Sequence, residues 1–246
     1  MQQIQNVVKM NPETNLHALI IGGEQSDRLF LANTLSDLNV NCREANDLEE
    51  TVYLLNNLHF ELIFSDTEID SINISELIRK HNQDCKVIAL TNSKNQEDLY
   101  LLIKFEISDI LEKPISTEAI TQIMSRYHKY QNDITSRFDN SMIYNTFRNN
   151  KEFIHKMMDL YITVSGEDFD KLLLTFRNSD TTGLGDMAHK MASPAGQVGA
   201  TRLYKLFKEL EKNINNNPNK NITDYFHDIA NINYEIKKIH SILKEI

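Results

Sequence analysis

Residues 62–66 have the sequence Leu62-Ile63-Phe64-Ser65-Asp66, a short apolar run that ends on a carboxylate. A run of this length and composition is typical of a strand buried on both faces of a parallel sheet. Similar segments recur along the first half of the chain, with helical periodicity between them. The predicted strands are 18–21, 41–45, 62–65, 87–90 and 110–111, and the predicted helices are 27–38, 48–58, 74–81, 97–105 and 117–130. This alternation predicts an α/β domain built from βα repeats.

The second half of the chain carries no strand pattern. Its apolar residues recur at helical spacing, as in the stripe Leu203, Leu206, Phe207, Leu210 and Ile214. The predicted helices are 141–148, 151–176, 184–196, 200–213 and 224–245, with loops at 178–183 and 215–221. We therefore predict an α/β domain over residues 14–130, a linker over 131–137 and an antiparallel helical bundle over 138–246.

Composition excludes several classes of function. The 246 residues have a formal net charge of −9 and no cluster of Lys and Arg, which argues against binding to the phosphate backbone of nucleic acid. The N-terminus lacks a signal-peptide pattern, and no apolar run approaches the roughly 18 residues of a membrane span. Cys42 and Cys85 have no metal-binding or redox spacing, so we expect reduced thiols. The predicted location is the cytoplasm, with no membrane partner.

Three polar residues follow predicted strands, at the edge of a parallel sheet where functional groups gather. They are Asp66, Thr91 and Lys113. A carboxylate, a hydroxyl and an ammonium in one pocket suit phosphoryl transfer, because the carboxylate can attack phosphorus while the other two stabilise charge on its oxygens. Each residue could instead simply end a strand or cap a helix, as Thr91 could. The joint arrangement favours phosphoryl transfer.

With the Lys113-Pro114 pair, this arrangement resembles the response regulator receiver family over about residues 16–130. The resemblance implies a flavodoxin-like, doubly wound parallel sheet of five βα repeats. It further implies that Asp66 accepts phosphate and that Thr91 and Lys113 are its partners.

The family also holds Mg²⁺ with an acidic pair after the first strand, and this chain has Gly22 and Gly23 there. Asp66, helped only by Glu24 or Glu68, would bind the ion weakly, and phosphoryl transfer would lose its main electrostatic stabilisation. We therefore predict a degenerate receiver with a regulatory role. The alternative is a receiver that still phosphorylates Asp66 with Glu24 or Glu68 as a substitute metal ligand.

His189 has surroundings that distinguish it from the other histidines. It lies in the segment 187–200, MAHKMASPAGQVGA, which is unusually rich in small residues for a helix. Small side chains let a second protein approach the imidazole, although they lower helix propensity. A histidine is largely neutral near pH 7, so one ring nitrogen is free to attack phosphorus. We expect Lys190 and Lys205 to offer positive charge to the bound phosphate.

This segment resembles the histidine phosphotransfer family, and the resemblance extends over about residues 138–246. Residues 188–193, AHKMAS, match its approximate motif Ala-His-x-Leu-Lys-Gly at Ala, at His and, with Met, at Leu. Ala192 replaces the Lys, and Ser193 replaces the Gly but keeps access to the ring. Glu211 resembles a Glu that follows the histidine helix. The resemblance implies a four-helix bundle that exposes His189 as the phosphorylated residue; alternatively, His189 is an ordinary residue of a helix surface.

Together the resemblances imply a phosphorelay protein of two-component signalling. His189 would accept phosphate from aspartates of partner receiver domains and donate it to others, and the chain would be a carrier rather than an enzyme, with no kinase domain. The implied partners are a hybrid sensor histidine kinase and response-regulator receivers. Two alternatives stay open: phosphate exchange between the chain's own Asp66 and His189, and a docking or sequestering module that works without phosphorylation.

Overall fold

The computed structural model describes residues 16–67, 77–81, 85–92, 95–131, 137–139, 141–147, 150–217 and 219–245. Contacts divide the chain into two units, one of residues 1–93 and 109–133 and the other of residues 94–108 and 134–246. The first unit therefore lacks residues 94–108, which the predicted α/β domain includes. Most of the predicted linker lies outside the described residues.

The first unit contains a five-stranded parallel sheet. Its strands are β1 (Leu16–Ile21), β2 (Val40–Ala45), β3 (Leu62–Asp66), β4 (Lys86–Thr91) and β5 (Asp109–Glu112), in the order β2-β1-β3-β4-β5. The helices of the βα repeats are α1 (Gln25–Asp37), α2 (Leu48–Asn57), α3 (Gln96–Lys104) and α4 (Thr117–Gln131), and residues 77–81 are also helical. The start of the helix predicted over 74–81 lies outside the described residues. The predicted alternation of strands and helices is confirmed.

Burial on both faces explains why the central strands are apolar. All residues of β3 are buried, and Ile63 and Phe64 are completely inaccessible to solvent. On one face of the sheet, Phe64 belongs to a core that includes Leu31 and Leu35 of α1 and Ile120 of α4. The order β2-β1-β3 reverses direction beside β1, and in open parallel sheets such a reversal opens a crevice at the carboxyl ends of the strands.

The second unit is helical. Beside α3 it contains α5 (Ser141–Thr146), α6 (Lys151–Arg177), α7 (Thr181–Gln197), α8 (Thr201–Asn216), a 3₁₀ turn (Ile222–Tyr225) and α9 (Phe226–Lys244). Helix α6 packs against α7 and α9, and α8 packs against the same two helices. The predicted stripe on α8 faces the core, since all its members are buried except the half-buried Leu206. Among the described helices, none combines the length and hydropathy needed to cross a membrane.

Two predicted loops are too long. Helix α7 begins at Thr181, because the Asp180 side chain accepts the Gly183 amide at 2.8 Å and so caps the helix. Helix α8 continues to Asn216, which shortens the second loop.

Helix α3 groups with the second unit through contacts with α6 and α9. Arg177 of α6 makes two hydrogen bonds to the carboxylate of Glu97, at 2.6 and 2.8 Å. The buried side chain of Asn233 on α9 donates a hydrogen bond to the Ile103 carbonyl at 2.8 Å. These bonds satisfy polar groups along α3 and account for the grouping of residues 94–108.

Cys42 and Cys85 are free thiols. Burial raises the pKa of each to about 11, so both stay protonated near neutral pH. This agrees with the prediction that they are reduced thiols.

His240 makes the second unit sensitive to acid. Its Nε2 lies 2.8 Å from the Ser165 hydroxyl, and burial, with smaller effects of Lys237 and Lys244, lowers the pKa of its ring from 6.5 to about 4. The unfolded chain therefore takes up the proton first, and stability present above pH 6.5 is lost as the pH falls towards 4. We expect a loss of about 2 kcal/mol, after allowing for solvent screening of a half-buried ring.

The measurement compares urea unfolding at pH 7 and pH 4 for the parent and for His240→Gln. Glutamine keeps a partner for Ser165 but does not titrate, and the difference between the chains cancels the contributions of other groups. Identical losses in both chains would show that His240 is not responsible.

Candidate functional site

Asp66, Thr91 and Lys113 lie at the same edge of the sheet. Asp66 ends β3, Thr91 ends β4 and Lys113 follows β5, and these strands are neighbours. The Nζ atom of Lys113 lies 2.6 Å from Oδ2 of Asp66. Their side chains are only 12% and 1% exposed. The carboxylate and the ammonium thus form a buried ion pair, the kind of charge compensation that a buried carboxylate requires.

Helix α3, which follows β4, is capped by another residue. The Asn95 side chain accepts the amide of Asp98 at 2.9 Å. The alternative that Thr91 caps this helix is therefore wrong. Thr91 instead lies buried at the end of its strand, and its carbonyl accepts the Lys113 amide at 2.9 Å.

The loop after β1 has a backbone that requires glycine. Gly22 and Gly23 have φ angles of 69° and 78°, in the left-handed region that side chains disfavour. A Cβ atom on Gly23 would lie 2.5 Å from Oδ2 of Asp66, which is closer than atoms can approach. Arg28 holds the loop by donating to the Gly23 carbonyl at 2.6 Å. An acidic side chain at position 23 would therefore be strained and would displace Asp66.

The described acidic residues near this loop occupy different positions. Glu24 is exposed at the start of α1, with its carboxylate 3.5 Å from the Ser26 hydroxyl. Asp27, which the sequence did not single out, lies 3.6 Å from the ammonium of Lys113. Its position in the first turn of the helix after the glycines is the signal that could have indicated it. Glu68 lies outside the described residues.

His189 lies on α7 with a side chain that is 70% exposed. Its Nδ1 is 2.8 Å from Oε1 of Glu211 on α8, and the other oxygen of that carboxylate accepts a hydrogen bond from Lys208. The hydrogen bonds from Lys208 and from His189 lower the pKa of Glu211, so this carboxylate is ionised near neutral pH. A carboxylate only accepts, so Nδ1 carries the proton. The ring nitrogen left to act as a nucleophile is Nε2.

Lys190, the lysine next to His189 in sequence, is bonded to a carboxylate of α6. Lys190 donates to the buried carboxylate of Asp168 at 2.8 Å, and Asp168 also accepts from Lys171 at 3.0 Å. Consecutive residues on a helix point in directions about 100° apart, so Lys190 and His189 face different neighbours. The bonded partner of Lys190 is thus Asp168 rather than a group beside the imidazole.

A cleft of about 500 Å³, which we call the Lys208 cleft, lies beside the imidazole. It is lined by His189, by Ser193 on the same helix and by Tyr204 and Lys208 on α8. The predicted neighbour Ser193 is exposed and accepts a bond from Gln197 at 3.4 Å. Tyr204 and Lys208 share one face of α8 because they are four residues apart. The sequence shows their spacing, but it does not show that this face of α8 lies beside His189 of α7.

Residues 18–125 match the family model of the response regulator receiver domain. Residues 18–125 form a receiver domain. Its five-stranded parallel sheet has the flavodoxin-like order of such domains. The family match agrees with the resemblance carried by Asp66, Thr91 and Lys113.

Curated relatives of this receiver-containing chain are sensor proteins. The sensor histidine kinase RcsC of Escherichia coli is 24% identical over 112 residues, which is 44% of this chain and 12% of the relative. The virulence sensor protein BvgS of Bordetella bronchiseptica is 21% identical over 227 residues, which is 82% of this chain and 18% of the relative. The chain therefore spans less than a fifth of the length of either relative.

Solved structures similar to the chain include other response regulators. The chemotaxis response regulator CheY4 of Vibrio cholerae has a TM-score of 0.43 at 19% identity, covering 46% of this chain and 98% of its own. A two-component response regulator from Clostridium difficile has a TM-score of 0.45 at 19% identity, covering 48% and 100%.

The donor groups that the structure describes around Asp66 lack the acidic pair that would hold Mg²⁺. The ion needs carboxylates in addition to the phosphoryl oxygens, and Asp66 already compensates the charge of Lys113 at 2.6 Å. The glycine backbone contributes no carboxylate, and the added Cβ at position 23 collides with Asp66. Among the residues that the structure describes, no group of three or more His, Cys, Asp or Glu side chains is arranged to hold a metal ion.

We expect millimolar Mg²⁺ to leave the amide NMR signals of residues 22–24 and 66–67 unshifted, because the ion would have to displace the ammonium of Lys113. Sodium chloride at matched ionic strength is the control for unspecific screening. A saturable shift with Mg²⁺ alone would mean that Asp66 binds the ion with Glu24 or Glu68 as a substitute ligand.

Proposed function

We propose that the chain is a phosphorelay protein in which the second unit is a histidine phosphotransfer bundle and His189 carries the phosphate. The observation that supports this function best is the exposed imidazole whose Nδ1 is bonded to Glu211 at 2.8 Å. That bond selects one tautomer and leaves Nε2 as the nucleophile towards solvent. The unit contributes the nucleophile, and the partner contributes the remaining catalytic groups.

Two further observations support the proposal. The contacts that link α6, α7, α8 and α9 suit an antiparallel four-helix bundle with His189 on its second helix. Similarity to BvgS covers 82% of the chain, more than residues 18–125 can account for, so it extends into the second unit.

The transfer step is a displacement at phosphorus. The Nε2 lone pair forms a bond to phosphorus, the P–O bond of the partner's aspartyl phosphate breaks, and the aspartate carboxylate leaves. The imidazole keeps its Nδ1 proton and becomes positively charged, and the Glu211 carboxylate stabilises that charge. The reverse step returns phosphate to an aspartate of another receiver. The chain is then a phosphate carrier rather than an enzyme, and a hybrid sensor kinase and separate receivers are its proposed partners.

The chain's own receiver domain has a regulatory role in this proposal. Its Asp66 is neutralised by Lys113, and the loop of Gly22 and Gly23 offers no acidic pair, so it is a degenerate receiver in this proposal.

A second candidate function is exchange of phosphate between Asp66 and His189. The shared position of Asp66, Thr91 and Lys113 at one sheet edge favours it.

The deciding experiment incubates the chain with a phosphorylated hybrid kinase that carries labelled phosphate. Phosphohistidine is labile in acid and stable in alkali, whereas aspartyl phosphate is labile in alkali. We expect acid-labile, alkali-stable label of equal amount in the parent and in Asp66→Ala. Loss of label in Asp66→Ala would favour the second candidate, and absence of label from the parent would contradict both and leave a docking or sequestering module.

A further inference from the structure

The helix that carries His189 places no lysine beside the ring. Ala192, in the motif's lysine position, is buried in the core, and Lys190 is bonded to Asp168 at 2.8 Å. A phosphoryl group on nitrogen carries nearly two negative charges near pH 7, and such groups are usually bound by cationic side chains. The charge therefore has to be compensated from another element.

Lys208 shares a cleft with the imidazole. It extends from α8 and lines the Lys208 cleft together with His189 and Ser193. Its side chain is 42% exposed, and its ammonium is bonded to Glu211, the residue that also holds Nδ1 of His189. One carboxylate thus fixes both the nucleophilic ring and the ammonium, with one oxygen for each.

We propose that Lys208 is the phosphate-binding cation of phosphorylated His189. This inference rests on the proposed function and adds the residue that recognises the phosphoryl group. Glu211 balances the charge that the ring acquires, and Lys208 binds the oxygens of the phosphoryl group on Nε2. The cation that the family motif places on the histidine helix is supplied in this chain by the neighbouring helix.

Phosphoramidate tests the inference without a partner protein. Attack by Nε2 breaks its P–N bond, ammonia leaves, and the phosphoryl group remains on His189. Lys208→Met removes the charge and keeps most of the aliphatic stem. We expect it to lower the initial rate of His189 phosphorylation about tenfold, the effect of losing one charge-assisted hydrogen bond at a partly exposed site. Lys208→Arg, which keeps the charge, is expected to load at nearly the parental rate.

Lys212→Met is the matched control, because Lys212 is an exposed lysine on the same helix and is not among the residues that line the Lys208 cleft. We expect it to load at the parental rate. Parental loading of Lys208→Met, with label still dependent on His189, overturns the inference and leaves the proposed function intact. Slow loading of Lys208→Arg also overturns it, because the effect would not follow charge. A parent that takes no label on His189, from phosphoramidate or from the kinase, overturns both.

Discussion

Replacement of His189 with glutamine is expected to reduce acid-labile phosphate on the chain to background, a loss of more than about a hundredfold. Glutamine can still bond to Glu211, so the face of α7 and α8 is kept, but it has no ring nitrogen to attack phosphorus. The imidazole is 70% exposed, so the substitution removes little packing. The measurement is the label transferred from a phosphorylated partner receiver, counted after alkaline treatment.

His155→Gln is the matched control for this substitution. His155 is an exposed histidine on α6 and is not among the residues that line the Lys208 cleft. We expect this variant to take up label at the parental level. Retention of parental label by His189→Gln would contradict the proposed function, and loss of label in both variants would show that transfer does not depend on His189 specifically.

Replacement of Glu235 with alanine is expected to destabilise the second unit by about 3 kcal/mol. The Glu235 side chain is fully buried, and its two oxygens accept from Arg137 at 3.0 and 3.3 Å. Its Oε1 also lies 3.7 Å from Nε of Arg202. The Arg202 side chain is only 9% exposed. Without the carboxylate, the buried positive charge of the arginines is no longer compensated by Glu235. The free-energy cost of that buried charge is larger than the contribution of the lost hydrogen bonds.

The measurement is the free energy of unfolding in urea, with hydrogen exchange in peptides of α9 as the probe that reports on the second unit. Glu152→Ala is the control, because Glu152 pairs with Lys156 at 2.7 Å while its side chain is 81% exposed. Such a surface pair contributes less than about 0.5 kcal/mol. Equal destabilisation by the two substitutions would mean that burial of Glu235 adds nothing.

The residues at the sheet edge were predictable for a simple physical reason. In a parallel sheet the carboxyl ends of the strands face the same way, so Asp66, Thr91 and Lys113 had to meet once their strands were recognised. The two glycines were also visible in the sequence. Their positive φ angles and the close approach of Asp66 to Gly23 were not visible, because both depend on how the loop after β1 packs against β3.

At the histidine site, the sequence made His189 a candidate but did not indicate which side chains contact it. Small residues around His189 singled it out, and Lys190 was expected beside the phosphate because it adjoins His189 in sequence, whereas its ammonium is bonded to Asp168. The residues that contact the ring or share its cleft, Glu211 and Lys208, are separated from it by about twenty positions. Their spacing along α8 puts them on one face, but only the packing of α8 against α7 brings that face to His189.

The amino-acid sequence alone thus determined the order of strands and helices and the sheet edge that gathers the polar residues, because these follow from periodicity, and its local composition made His189 the candidate phosphate carrier. Only the tertiary structure decided which acidic side chain pairs with which basic side chain. Asp66 pairs with Lys113, Lys190 pairs with Asp168, and Glu211 joins His189 to Lys208. Ion pairs depend on distances of a few ångströms between elements remote in the chain, and only the packing of the elements sets those distances.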